Sequence, residues 1–529
     1  MNNRRLYPAT LPASILALAL CAPHSAFAQA PAKAALHLVF VMDGLRPDSI
    51  TAGETPNLFR LRSEGVAFEN SHSIFPTVTR VNSSSLSTGM QPARHGMMGN
   101  QVYIPAVDPV KAFSNDNFLL LLKLGDAADG QIVLTPSIAE LTAETGHRYV
   151  ALSSGSTGSA LLLAPRAPRG SGTVINGSFY GATSVGWPEA VSSEVLKRFG
   201  PQPKLGGAKD NFNVAVDWSM KVLREYVLPE LKPNVAYVWM SEPDHTQHAY
   251  GPGAPEALAV IRNDDRNLGL VLETLDKLGL RERTNIMVIS DHGFSQTVHG
   301  VNLRQELLDG GFKADDVVIA SSGQTVALHV KDRDPAKIRT IVEFLQKQAW
   351  TGVVFTAKGA GAAHEGAVAG TFALEFAHLG GSERSPDIVF TFPWSSARNR
   401  HGVQGTDYVM LASGTTGPRD TTAAGHGSMS PWTVKNTMLA WGPDFKRGAR
   451  MRTPSANADV TPTILHLLGH PKADTLDGRV LREALVTGPD EEQVAIETRT
   501  LRVTSGVYKA ALQVTETGGR RYLDKSWRE

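Results

Sequence analysis

The sequence predicts an α/β fold: a mostly parallel central sheet flanked by helices on both faces, with an inserted cap region and C-terminal antiparallel strands. Three observations predict it. Strand-like and helix-like patterns alternate through most of the 529 residues. Several strand candidates are continuous apolar runs, as strands buried on both faces require. The C-terminal segment instead alternates with period two, as antiparallel strands with one wet face do.

The elements follow in order. "ALHLVFVM" is a buried strand, and "TPNLFRLRSEG" a helix with Leu58 and Leu61 on one face and Gly65 at its end. "NFNVAVDWSMKVLREYVL" has amphipathic helical spacing, and the strand "NVAYVWM" follows it. "PEALAVIRNDDRNLGLVLETLDKLG" is a long helix ending on Gly279, before the strand "TNIMVIS". "NADVTPTILHLLG" opens on a capping pair, Asn457 and Asp459, and runs helically to Gly469. Between them, "DPAKIRTIVEFLQKQ", the Gly/Ala stretch "AKGAGAAHEGAVAG" and mixed short strands break the alternation. This gives a core over residues 34–300 and 407–485, an insertion or cap over 301–406, and terminal strands over 486–529, turning at "TSG" and "TGG".

Residues 1–28 read as a secretory signal peptide: "MNNRR" is a positive start, "LPASILALALCA" an apolar run, and "AFA" a small-residue cleavage site after Ala28. The run is shorter than the roughly 20 residues a spanning helix needs. No later segment is long and apolar enough either. The formal net charge is +1, and removing the leader takes away Arg4 and Arg5, leaving −1. Neither value suits a protein held to nucleic acid by a basic surface, or an acidic solvating tail. The sole cysteine, Cys21, lies in the leader, and Leu20 before it fits a lipid anchor poorly. The expectation is an exported protein, periplasmic or secreted, whose core needs no disulfides.

Three strand candidates carry acids or histidines straight after their last apolar residue. Asp43 follows "LVFVM"; Asp244, His245 and His248 lie in "SEPDHTQH" after "VAYVWM"; Asp291 and His292 follow "IMVIS". In open α/β sheets the crevice beyond the carboxyl ends of the strands is where ligands bind. If these strands are parallel neighbours, their side chains converge there. Buried like charges repel unless a cation neutralises them, and mixed carboxylate and imidazole donors suit zinc, less often iron or manganese. Asp244 and His248 are spaced i, i+4, which puts both on one helical face. His426, between two glycines in "AAGHGSMSPW", is a further candidate ligand. Alone, each element has a plain alternative as a turn, a capped helix start or a loop histidine; together they are hard to explain independently.

With these residues in hand, the chain resembles the alkaline phosphatase superfamily, in its nucleotide pyrophosphatase/phosphodiesterase-like branch. The matching stretches are "MDGLRPD", "FPTVTRVNSSSLSTGMQPARHG", "SEPDHTQHAYGPG", "SDHGF" and "GHGSMSPW", in the family's order. The resemblance implies two divalent metal ions, usually zinc. Asp244, His248 and His426 would hold one, and Asp43, Thr79, Asp291 and His292 the other. Thr79 matches the family's nucleophile, which implies a covalent phospho-threonine, and Asn82 matches an asparagine that contacts the transferred group. The chain departs from the pattern in two places. Arg80 and Val81 replace the usual apolar residue and proline after the nucleophile, and Gln247 replaces a common glycine.

The expected substrate is a small-molecule phosphate ester, foremost a phosphodiester or nucleotide pyrophosphate. A phosphomonoesterase, a phosphonate hydrolase or a sulfatase on the same fold is the alternative, and a non-catalytic metal-binding protein the outsider. Cys/Ser-x-Pro-x-Arg, the sulfatase motif, is missing around Thr79. Lesser candidates are His245 and His299 near the ligands, and His364 and His401 in the insertion. Ser83, Ser84 and Ser85 read as helix-start hydroxyls. Arg80 reads equally as a contact to a charged substrate or as an ordinary ion pair.

Overall fold

The structure is a computed structural model that describes Met1 and residues 34–180, 183–203, 210–411, 417–418 and 423–529. The leader read over residues 1–28 falls, after Met1, outside the described residues. Among the described residues no helix is long and apolar enough to cross a membrane.

Nine strands form the main sheet: β1 (Leu36–Met42), β2 (Val66–Phe68), β3 (Tyr149–Ser153), β4 (Thr173–Tyr180), β5 (Thr183–Trp187), β6 (Val235–Met240), β7 (Thr284–Ile289), β8 (Met438–Trp441) and β9 (Ala449–Met451). Their order is β9-β2-β8-β7-β1-β6-β3-β4-β5. The central run from β7 to β4 is parallel throughout. β8 pairs antiparallel with both β7 and β2, and β5 pairs antiparallel with β4.

The apolar runs explain this placement. In β1, Val39 and Val41 enter the core on one face while Leu38, Phe40 and Met42 enter the core on the other. Tyr237 and Trp239 of β6 share the first face, and Ala236 and Val238 the second. Both faces are covered by helices, so every position of β1, β6 and β7 is buried. Ile261, Leu268, Val271, Leu272 and Leu275 of the long helix Pro255–Lys277 cover the second face. The segment read as one amphipathic helix is split: an α-helix over Asn213–Val222 continues as a wider π-helical stretch, Leu223–Leu231. Pro229 lies inside that stretch and cannot supply the N–H of a regular helical bond.

Within the 301–406 segment, Val317–Ser321, Thr325–Val330, Val354–Thr356, Phe372–Ala373 and Ile388–Thr391 form a separate five-stranded sheet. Its core includes Phe355, Phe372 and Phe390 and is shared with Tyr508, Leu512 and Val514. Those residues belong to the C-terminal sheet, antiparallel strands Glu497–Ser505, Tyr508–Thr517 and Arg520–Arg528. A further sheet joins Ser295–Val301, just after β7, to Gln404–Met410 in parallel.

Candidate metal centre

β1 lies between β6 and β7, all three parallel, so their carboxyl ends meet at one place. Asp43 follows β1 directly; its backbone N–H donates to Met240 O at 3.0 Å, and the Asp244 N–H donates to Asp43 O at 2.9 Å. The chain leaving β6 turns into a short helix, Asp244–Tyr250, which sets Asp244 and His248 one turn apart. After β7, the carboxylate of Asp291 reaches across, and its Oδ1 accepts the Gly44 N–H at 3.0 Å. Gln247, also buried, ties the same corner by donating its side-chain amide to Gly44 O at 3.0 Å.

Three imidazoles converge on this carboxylate group through their Nε2 atoms. Asp244 Oδ1 lies 3.3 Å from His426, 3.4 Å from His248 and 3.8 Å from His292. His292 Nε2 is also 3.1 Å from Asp291 Oδ2 and 3.4 Å from Asp43 Oδ1. On the far side of each ring, Nδ1 meets a backbone carbonyl at 2.9 Å: Gly293 O for His292, Ala424 O for His248 and Thr77 O for His426. A carbonyl only accepts, so each Nδ1 carries a proton and each ring, when neutral, presents its Nε2 lone pair inward. The rings of His292 and His426 stack 3.5 Å apart.

The electrostatics show what is needed here. Burial, then the charges of Asp291 and Asp244, push the Asp43 carboxyl well above the usual carboxylate range. Burial would raise Asp244 too, but His248 and His426 outweigh it and hold Asp244 well below that range. Burial opposes charging His248 and His292, yet Asp244 and Asp291 raise them above the ordinary histidine value. Burial lowers His426 to about 4, so it is neutral at physiological pH. Asp43 Oδ1, Asp244 Oδ1 and Asp291 Oδ2 are all buried without a hydrogen-bond partner among the described residues. Buried carboxylate oxygens facing unprotonated imidazole nitrogens are the donor set a divalent cation fits. Two overlapping groups have ligand spacing: Asp244, His248 and His426, and Asp43, Asp244 and His292.

Thr79 stands at the first position of the helix Thr79–Thr88, with Val78 as its N-cap. Its Oγ1 lies 3.4 Å from His292 Nε2, at the edge of the second group. Thr77, two residues earlier, donates its hydroxyl to Ser428 O and accepts the Gly427 N–H, besides fixing the His426 ring through its carbonyl.

Asn82 departs from expectation. Its amide was expected to donate to the transferred group, but Nδ2 donates to Ile74 O and Val78 O, both at 3.1 Å, and Oδ1 accepts from Ile74 N and Asn457 Nδ2. The side chain is fully buried and holds the loop before the helix in place. Asn100 is the asparagine beside the centre, in a cavity of about 440 Å³ that Arg80, His248 and His426 also line. Its Oδ1 accepts the Arg80 backbone N–H at 3.1 Å. No spacing rule marks Asn100 in the sequence, although Gly99 beside it, packed against Ser322, signals a close approach.

The remaining histidines stand apart from the ligand groups. His245 Nε2 meets Asp210 O at 3.0 Å, and its ring packs on Phe212. His299 packs on Tyr408, and His364 on Phe372 and Phe376. His401 meets its neighbour Arg400. Ser83, Ser84 and Ser85 bond to Ser159 O, Arg80 O and His95 Nε2 respectively, without facing the centre.

The model of the type I phosphodiesterase / nucleotide pyrophosphatase family matches residues 37–404. The chain belongs to this family. Its members lie within the alkaline phosphatase superfamily, as the motif resemblance implies. Venom phosphodiesterase 2 of Crotalus adamanteus is 25% identical over 265 residues, which cover 49% of this chain and 27% of the relative. Human ectonucleotide pyrophosphatase/phosphodiesterase family member 1 is 27% identical over 263 residues, 49% of this chain and 23% of the relative. The matches thus span about a quarter of these relatives' length. Among solved structures, an inactive form of murine ectonucleotide pyrophosphatase/phosphodiesterase 5 in complex with AMP superposes with a TM-score of 0.57 at 19% identity, covering 85% of this chain and 99% of that one. The human counterpart gives the same score and identity and is covered over its whole length. These two similarities establish the shared α/β fold.

Proposed function

We propose that this member of the family is an exported phosphate-ester hydrolase with Thr79 as its nucleophile. Two divalent cations, zinc by the donor set, would be held by Asp244, His248 and His426 on one side and by Asp43, Thr79, Asp291 and His292 on the other. The observation that carries this reading is the set of unpartnered, buried oxygens on Asp43, Asp244 and Asp291, facing inward-pointing Nε2 atoms beside Thr79. Phosphodiester and nucleotide pyrophosphate bonds are the class the family name designates. The relatives named as venom and ecto-enzymes, and the leader-like sequence, support export.

Bound cations would acidify the Thr79 hydroxyl and stabilise charge on the phosphoryl and leaving oxygens. Thr79 sits where the helix dipole favours an anionic phosphoryl group. Its Oγ1 forms a bond to phosphorus as the bond to the leaving oxygen breaks, giving a phospho-threonine. Asn100, which lines the same cavity, offers its side-chain amide to a phosphoryl oxygen. Water then cleaves the phospho-threonine and restores the hydroxyl. The carbonyls of Gly293, Ala424 and Thr77 keep the ring nitrogens aimed throughout.

Thr79→Ala at saturating zinc tests this. Turnover of p-nitrophenyl phosphate esters is expected to fall by about a thousandfold or more, with metal retained on the carboxylates and histidines. Acid-quenched wild-type enzyme should yield a phosphorylated Thr79 peptide by mass spectrometry. Undiminished turnover in Thr79→Ala would sink the mechanism.

A further inference from the structure

Arg80 follows Thr79 in the first turn of its helix and lines the cavity with Asn100, Asp116, His248 and His426. A cation in that turn is disfavoured by the helix dipole, so an arginine there calls for anions nearby. The structure supplies one. Arg80 Nη2 donates to the Asp116 carboxylate, and also to Ser156 Oγ at 3.0 Å. An ordinary surface pair would leave both partners wet, but the arginine side chain is only 15% exposed against 50% for Asp116. The guanidinium is held at one nitrogen. Its Nε is buried and has no partner among the described residues. The backbone is fixed as well, because the Arg80 N–H donates to Asn100 Oδ1. A fixed, largely shielded guanidinium with one unpartnered nitrogen therefore stands one residue from the proposed nucleophile, on a wall shared with Asn100.

A phosphate monoester, or the terminal phosphate of a longer ester, carries a second negative charge once pH exceeds its second pKa of about 6. In a diester that charged oxygen is replaced by a neutral ester link. Arginine binds such oxygens through planar, charge-assisted hydrogen bonds that a neutral ester oxygen returns far more weakly.

We propose that Arg80 is a specificity-determining residue that binds the additional charged oxygen of a terminal phosphoryl group, so that esters reacting at a terminal phosphorus are favoured over internal diesters. This rests on the reading of Thr79 as nucleophile. Bond making and breaking are the same for both substrate classes, and Arg80 exchanges no proton. Asp116 and Ser156 hold the guanidinium plane.

The test compares p-nitrophenyl phosphate with methyl p-nitrophenyl phosphate at about pH 8, above that second pKa, using zinc-loaded wild type, Arg80→Ala and Arg80→Lys. The ratio of kcat/KM for monoester to that for diester is expected to fall at least about tenfold in Arg80→Ala, the weight of one charge-assisted hydrogen bond. Arg80→Lys, which keeps the charge, should recover part of it. Inorganic phosphate, titrated calorimetrically into the same holoenzymes, should bind Arg80→Ala about tenfold or more weakly. An unchanged ratio, even if both activities decline together, overturns the proposal, as does unchanged phosphate affinity. Thr79→Ala separates the two readings. If it abolishes both activities while Arg80→Ala leaves the ratio alone, only the Arg80 assignment fails. If Thr79→Ala keeps both activities, the nucleophile assignment fails.

Discussion

The side-chain amide of Asn82 bridges Ile74, Val78 and Asn457, and Asn457 in turn donates to the carbonyl of Asp291. Asn82 thereby sets the entry to the helix of Thr79 and connects it to the loop carrying two proposed ligands. Truncation to alanine leaves buried donors and acceptors without partners, each costing about 1–3 kcal/mol. Asn82→Ala is expected to lower unfolding stability by about 3 kcal/mol in chemical denaturation. Asn100→Ala should behave oppositely: stability within about 1 kcal/mol of wild type, and kcat reduced by about tenfold or more. Equal destabilisation by both would contradict this division of roles. The ligand types were readable because acids and histidines at the ends of apolar runs have few structural uses. The direction of an amide was not, since it depends on carbonyls that only the folded loop brings within reach.

Gln404–Met410 carries Asp407 fully buried in the sheet it forms with Ser295–Val301, close to the segment of His426. Burial pushes its carboxyl up to about 7, although the hydroxyls of Ser295, Ser428 and Ser430 work against that rise. In the unfolded chain an aspartate titrates near its ordinary value of about 3.9. Between those values the folded state binds more protons, so unfolding free energy falls as pH rises from about 4 to about 7 and then levels off. Asp407→Asn removes that slope. Urea titrations at several pH values should show the variant gaining on wild type by on the order of 4 kcal/mol across the window. A difference independent of pH would mean that Asp407 is ionised within the fold. This strand illustrates what sequence patterns conceal: the stretch 301–406 reads as irregular because its short strands pair across long separations, whereas β1, β6 and β7 announce themselves as continuous apolar runs. The π-helical turn at Leu223–Leu231 is likewise invisible to periodicity, and only Pro229 hints at it.

The C-terminal sheet is bound to the rest of the molecule at several points. Its Tyr508 hydroxyl donates to Gly352 O at 2.8 Å, and Asp524 accepts from His72 at 2.9 Å beside the strand that leads to Thr79. Tyr522 donates to Asp459 Oδ2 at 3.0 Å and accepts from Arg479 Nε at 2.9 Å. Asp459 also takes the backbone N–H groups of Ala456 and Arg479, on either side of the helix start that places Asn457 against Asn82. Tyr522→Phe removes two of these bonds and leaves the other two on Asp459, so the Asn457 contact should persist. The expected result is a loss of about 2 kcal/mol in unfolding stability with kcat within about twofold of wild type. Deleting residues 497–529 is a different perturbation. It strips Tyr508, Leu512 and Val514 from the core they share with Phe355, Phe372 and Phe390 and exposes apolar surface on the second sheet. The truncated chain is expected to aggregate on expression, while Tyr522→Phe remains soluble and active. A soluble truncation with native turnover would show that the terminal strands are an accessory layer rather than a wall of the fold.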